Sequence, residues 1–114
     1  MLQTLLKRAA PAVLAPCAVV SLAAAAPAPP TAKVTIGNFT FGPAALTVAP
    51  GTTVTWLNGD DIPHTVVAAD KQAFRSRVLD TGDSFAFTFT RPGNYAYFCS
   101  IHPHMTGKIV VRAR

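Results

Sequence analysis

From Lys33 onward the apolar residues recur at every second position and nowhere hold a helical period for a useful length. Val34 and Ile36 alternate with polar neighbours, Leu46 and Val48 do so ahead of Pro50-Gly51, and Val54 and Trp56 alternate with Thr53 and Thr55. Phe85, Phe87 and Phe89 make the clearest run of period two, with Ala86 and Thr88 on the other face. Tyr95, Tyr97 and Cys99 share one face of the segment that follows Pro92-Gly93. Alternation of this kind marks strands with one buried face. About seven short strands punctuated by Gly and Pro predict an all-β sandwich whose aromatic residues pack its core. Within it, Arg91-Pro92-Gly93-Asn94-Tyr95 predicts a tyrosine corner, the Tyr95 hydroxyl returning to the backbone a few residues upstream. Ala68 to Val78 has no clean period, carries Lys71, Arg75 and Arg77, and reads as a surface loop.

The N-terminal quarter follows another pattern. Lys7-Arg8 precede an apolar stretch from Pro11 to Leu22, and Ala23-Ala24-Ala25-Ala26 offers small-residue cleavage sites. That order predicts an export signal over 1–26, removed in the mature protein. Two internal prolines and a short, Ala-rich run make it a poor membrane span, so no stable insertion is expected after cleavage. A lipidated Cys17 is a minor alternative, poorly served by the preceding Pro16. Residues 27–32 read as an Ala/Pro-rich linker, and 33–114 as the folded domain.

Charge and cysteine count change once that segment is removed. The whole chain has 10 Lys and Arg against 5 Asp and Glu, a net of +5; losing Lys7 and Arg8 leaves +3. No Lys/Arg cluster remains, so nucleic-acid binding has no support, whereas weak steering of an acidic partner is open. Cys99 becomes the one cysteine of an exported protein, where thiols are normally paired. An unpaired thiol there needs a reason, and metal ligation supplies one.

The reason lies in Tyr97-Phe98-Cys99-Ser100-Ile101-His102-Pro103-His104-Met105-Thr106-Gly107. A thiol, two imidazoles and a thioether occupy one short loop, and His64 is a further candidate upstream. Hard cations want oxygen ligands, and this loop has no carboxylate. Thiolate, neutral imidazole and weak thioether are the donors of a trigonal copper site with a long axial Met, although zinc accepts the same thiolate and imidazoles. Cys99 ends an apolar strand, and His102 and Met105 follow at the third and sixth positions, so a turning loop can aim all three at one point. His104 lies directly beside Met105 and is worse placed to share an ion with it; it is expected to be a solvent-facing imidazole. With His64 the only donor outside the loop, the site forms only where two strand ends meet.

At these residues the chain resembles the cupredoxins, small blue copper electron carriers, and most closely their amicyanin/plastocyanin branch. Pro63-His64 resembles the upstream ligand, Cys99-x-x-His102-x-x-Met105 the short ligand loop, and Gly107-Lys108-Ile109-Val110-Val111 the closing strand. The resemblance runs from about Val34 to Val111. It implies a Greek-key sandwich of seven to eight strands that holds one copper ion, as Cu(I) or Cu(II), on His64, Cys99, His102 and Met105. It further implies a monomeric, periplasmic or secreted shuttle rather than an enzyme, with transient redox protein partners docking on an apolar patch around His102 that includes Ile62, Pro63 and Pro103. A copper-binding or copper-delivery protein of the periplasm is the alternative, and the copper domain of an oxidase or reductase a second. The resemblance also places the Thr65 N–H on the Cys99 sulfur, with the Thr65 and Ser100 hydroxyls tying the ligand loops together. The chain departs from its relatives at Thr65, where many carry Asn, at Ile101, where short loops often carry Pro, and at His104, where an apolar residue is usual. A free Ile101 N–H predicts a second hydrogen bond to the thiolate.

Overall fold

The computed structural model describes Pro16 and residues 28–113. The expected export signal, Cys17 included, otherwise lies outside the described residues. Eight strands follow in chain order: β1 (Thr31–Gly37), β2 (Thr40–Gly42), β3 (Ala45–Val48), β4 (Thr52–Asn58), β5 (Val67–Ala68), β6 (Ser84–Phe89), β7 (Gly93–Phe98) and β8 (Thr106–Val111). They form two four-stranded sheets, ordered β2-β1-β4-β6 and β3-β8-β7-β5. Each sheet is mixed, with one parallel pair, β1 with β4 in the first and β3 with β8 in the second.

Period-two patterning translates directly into the core. In β4, Val54 and Trp56 are buried while their neighbours are half-exposed, and they face Phe87 and Phe85 across the antiparallel pair with β6. Val34 and Ile36 of β1, Tyr97 of β7 and Ile109 and Val111 of β8 complete the layer between the sheets. Trp56 is its centre, stacked on Phe74 at 5.7 Å and edge-on to Tyr97 at 5.4 Å between ring centroids. The predicted tyrosine corner is present: the Tyr95 hydroxyl donates to Arg91 O at 2.7 Å.

Two expectations change. β1 begins at Thr31, not Lys33, because parallel pairing with β4 starts at Thr31 opposite Thr53; backbone pairing, which hydrophobic period does not report, sets that boundary. The segment from Ala68 to Val78 is more than a surface loop. Phe74 inserts into the core, and the chain returns alongside β5 through a bridge between Val67 and Arg75. Ser76 accepts from the Val66 N–H at 2.8 Å, satisfying a buried amide. One apolar anchor among charged residues leaves no periodic signal.

The sheets bring strand ends together at one pole. Cys99 follows β7 directly, Met105 precedes β8 directly, and His64 lies on the connection from β4 to β5.

Candidate metal centre

The loop from Cys99 to Met105 is closed by its own backbone. The Cys99 N–H donates to Met105 O at 3.0 Å, His102 N–H to Cys99 O at 3.2 Å and Met105 N–H to His102 O at 2.9 Å. With Phe98 paired to Thr106 in the β7–β8 ladder, the spacing of three and then three residues becomes a compact turn with little freedom left. His64 is fixed from outside the loop. It exchanges backbone hydrogen bonds with Leu79 at 3.0 and 2.8 Å, and the fully buried Asn58 amide donates to Ile62 O and Leu79 O on either side, both at 2.9 Å.

These supports place three donor atoms around one point. Cys99 Sγ stands 3.8 Å from His64 Nδ1 and 3.7 Å from His102 Nδ1, and the three ligand atoms lie within 4.8 Å of one another. Nitrogen and sulfur held at about 2.0 and 2.3 Å from one ion, at angles of about 109–120°, stand roughly 3.5–3.7 Å apart. The two sulfur–nitrogen edges therefore match, to about 0.1 Å, one metal ion shared by Cys99, His64 and His102. Met105 is buried in the same cluster as Cys99. His104 is exposed and is not among the three donors.

Cys99 is poised as a thiolate. Burial pushes its thiol up, but the Thr65 N–H donating at 3.4 Å, the neighbouring imidazoles of His64 and His102, and the Thr65 hydroxyl at 3.7 Å outweigh burial and bring it down to about 6. The Thr65 hydroxyl also accepts from the Ser100 N–H and shares a hydrogen bond with the Ser100 hydroxyl, both at 2.8 Å. The expected tie between the two ligand segments is thus made by Thr65. The expected bond from Ile101 is not: the second donor from outside the imidazoles is the Thr65 hydroxyl. Ile101 instead turns its side chain to the surface, 46% exposed.

Three residues of the site carried no signal in the spacing. His64 is completely buried, and its second nitrogen, Nε2, meets Asp60 Oδ2 at 2.8 Å. The same oxygen accepts from the Phe39 N–H at 3.2 Å. These contacts hold the Asp60 carboxyl below the usual range, the His64 hydrogen bond first and the Phe39 backbone bond next. Asn58, the third, stands at the end of β4, six residues before His64, and is not part of the ligand spacing. Phe39 sits in the two-residue turn from β1 to β2, where Asn38 and Phe39 have φ of 50° and 58°. Positive φ at both positions is the hairpin geometry that favours Asn followed by Gly, and Phe in the second position is strained. Its ring stands edge-on to His102 at 5.1 Å and to His64 at 5.9 Å. The Gly37-Asn38 pair is a turn signal, but nothing in it says that the next ring covers a metal ligand.

The surface over the site is apolar. Phe39, Ile101, Pro103 and His104 line a shallow depression with half-exposed His102 and the buried Met105 at its floor. Pro63 is exposed and Ile62 half-buried on the neighbouring segment.

An eight-stranded sandwich carrying one thiolate and two imidazoles on converging loops defines a small cupredoxin-type metal protein. The chain belongs to the plastocyanin/azurin family of copper binding proteins, whose family model matches residues 30–112. An amicyanin from Paracoccus versutus is 39% identical over 70 residues, covering 58% of this chain and 53% of that protein. Among solved structures, a purple cupredoxin from Nitrosopumilus maritimus superposes with a TM-score of 0.68 at 36% identity, over 71% of this chain and 99% of that one. A copper-containing nitrite reductase from Thermus scotoductus matches at a TM-score of 0.66 and 37% identity, over 75% of this chain but 23% of the enzyme. The chain spans about half the length of the Paracoccus versutus amicyanin.

Proposed function

We propose that this chain is an exported single-electron carrier that holds one copper ion on His64, Cys99, His102 and Met105. The observation that carries the proposal is the donor triangle, with edges of 3.7 and 3.8 Å meeting at a sulfur already biased toward thiolate. Bound there, copper supplies a one-electron couple between Cu(I) and Cu(II). The protein supplies a hydrogen-bonded frame: a self-closed loop, a bridge from His64 to Leu79 and the Thr65–Ser100 tie. A fixed trigonal set suits neither oxidation state fully, so little reorganisation accompanies the change.

The half-exposed ring of His102, inside the depression lined by Phe39, Ile101 and Pro103, is the route for the electron. Donor and acceptor proteins dock there weakly and briefly, as a shuttle requires. The protein works as a monomer in the periplasm or outside the cell after loss of residues 1–26. It acts as a carrier rather than an enzyme, a reading supported by the amicyanin match; the nitrite reductase is matched over only 23% of its chain.

Copper delivery is the competing function, and retention of the ion separates the two. The copper-loaded protein is reduced, challenged with a Cu(I) chelator and reoxidised through several cycles. A carrier keeps its copper throughout; transfer of the ion to the chelator on first reduction would replace the carrier by a delivery protein.

A further inference from the structure

Asp60 is the feature of the site that neither the ligand spacing nor the family resemblance supplies. Its backbone and side chain are both held. The Asp60 N–H donates to Asn58 Oδ1 at 2.9 Å, and the Thr81 hydroxyl donates to Asp60 O at 2.6 Å. Its Oδ2 is shared by the Phe39 N–H and by His64 Nε2, and the side chain is 12% exposed beside a ring that is wholly buried. An ionised carboxylate only accepts hydrogen bonds, so His64 Nε2 carries the proton in this contact. The lone pair for a metal is then on Nδ1, the nitrogen that faces Cys99 Sγ. His102, by contrast, has no carboxylate partner among the described residues.

We propose that Asp60 is a positioning residue of the copper site, which fixes the tautomer of His64, makes that imidazole a stronger donor and lowers the reduction potential. The inference rests on the ligand set proposed above. Its physical basis is twofold. A carboxylate on the outer nitrogen raises the basicity of a metal-bound imidazole. A negative charge one ring away from the ion also favours the higher charge state, Cu(II) over Cu(I). The two imidazoles consequently have different tasks: His64 is the buried, carboxylate-backed ligand, and His102 the surface ligand through which the electron passes.

The test compares Asp60→Asn, Asp60→Ala and Asp61→Asn with the unaltered protein. Asn keeps the size of Asp60 and an acceptor oxygen for the Phe39 and His64 donors while removing the charge and the Oδ1 that accepts from the Asp61 N–H at 3.2 Å, and Asp61→Asn removes the same charge one residue away. Two readouts are taken: the Zn(II) dissociation constant by chelator competition, which involves no redox chemistry, and the potential of the copper-loaded form. Zinc affinity is expected to fall by about 10–100-fold, less in Asp60→Asn than in Asp60→Ala, and the potential to rise in both, with Asp61→Asn close to the unaltered protein. Unchanged zinc affinity and potential in Asp60→Asn would overturn the inference, as would equal shifts in Asp61→Asn, which would reduce it to long-range charge. Failure of the unaltered protein to form a thiolate-bound copper site would instead sink the ligand assignment itself.

Discussion

Cys99 meets two opposing demands at one atom. Its sulfur is fully buried, which favours the neutral thiol, yet a metal needs the thiolate. The structure resolves this with donors and not with exposure: burial raises the thiol, and Thr65 and the two imidazoles bring it down to about 6. A thiol depressed in the folded state binds fewer protons there than in the unfolded chain, where it titrates near about 8.5. It therefore adds stability above that unfolded value, and the stability is lost as pH falls through about 6. In the metal-free protein, thiolate ultraviolet absorbance should titrate near pH 6, and unfolding stability should climb between there and the unfolded value. Cys99→Ala should flatten that part of the profile. On the same scale, His102→Ala should abolish the thiolate-to-copper band and His104→Ala should leave it, because the His104 ring is outside the donor triangle. The donors themselves were legible in the sequence, since their types and spacing name the chemistry. Asp60 and Phe39 were not, because their meeting at His64 is made by a turn and a hairpin joining residues with no local relation.

Between strands, the tightest constraint lies where β7 meets β8. Tyr97 is paired with Gly107 in register, and a Cβ at Gly107 would be driven into the Tyr97 ring. That ring is 1% exposed and packed against Trp56, Phe41 and Phe74, so it has nowhere to go. Gly107→Ala should cost about 1–3 kcal/mol by overpacking, read as a lower denaturation midpoint with an unchanged slope. The sequence marks Gly107 as the start of the closing strand but not as the floor under an aromatic ring. Strands with one buried face were legible throughout, from Val34 and Ile36 to the Phe85, Phe87 and Phe89 run, because alternation is itself the consequence of one-sided burial. The segment with Phe74 was not, because a single inserted ring has no period. The start of β1 was missed for a related reason: Thr31 and Ala32 are held by hydrogen bonds to β4 and contribute little to the core.

At the scale of the molecule, the sandwich is a holder that leaves Phe39, Ile101 and Pro103 around His102 at one pole. Three of the four proposed ligands follow from one loop, and the fourth depends on β4 and β7 delivering their ends to the same place. An ion bound only to the folded state adds stability by mass action, about 4 kcal/mol at a thousand-fold excess over its dissociation constant. Copper loading should accordingly raise the unfolding temperature, but zinc would do so too, which leaves the redox chemistry as the discriminating property. The most direct test is therefore the visible absorption spectrum of the signal-free protein after Cu(II) is added, then after a reductant, then after reoxidation. The account predicts an intense thiolate-to-copper band that bleaches on reduction and returns on oxidation. A folded, copper-loaded protein without that band, or one whose band does not return, would contradict it.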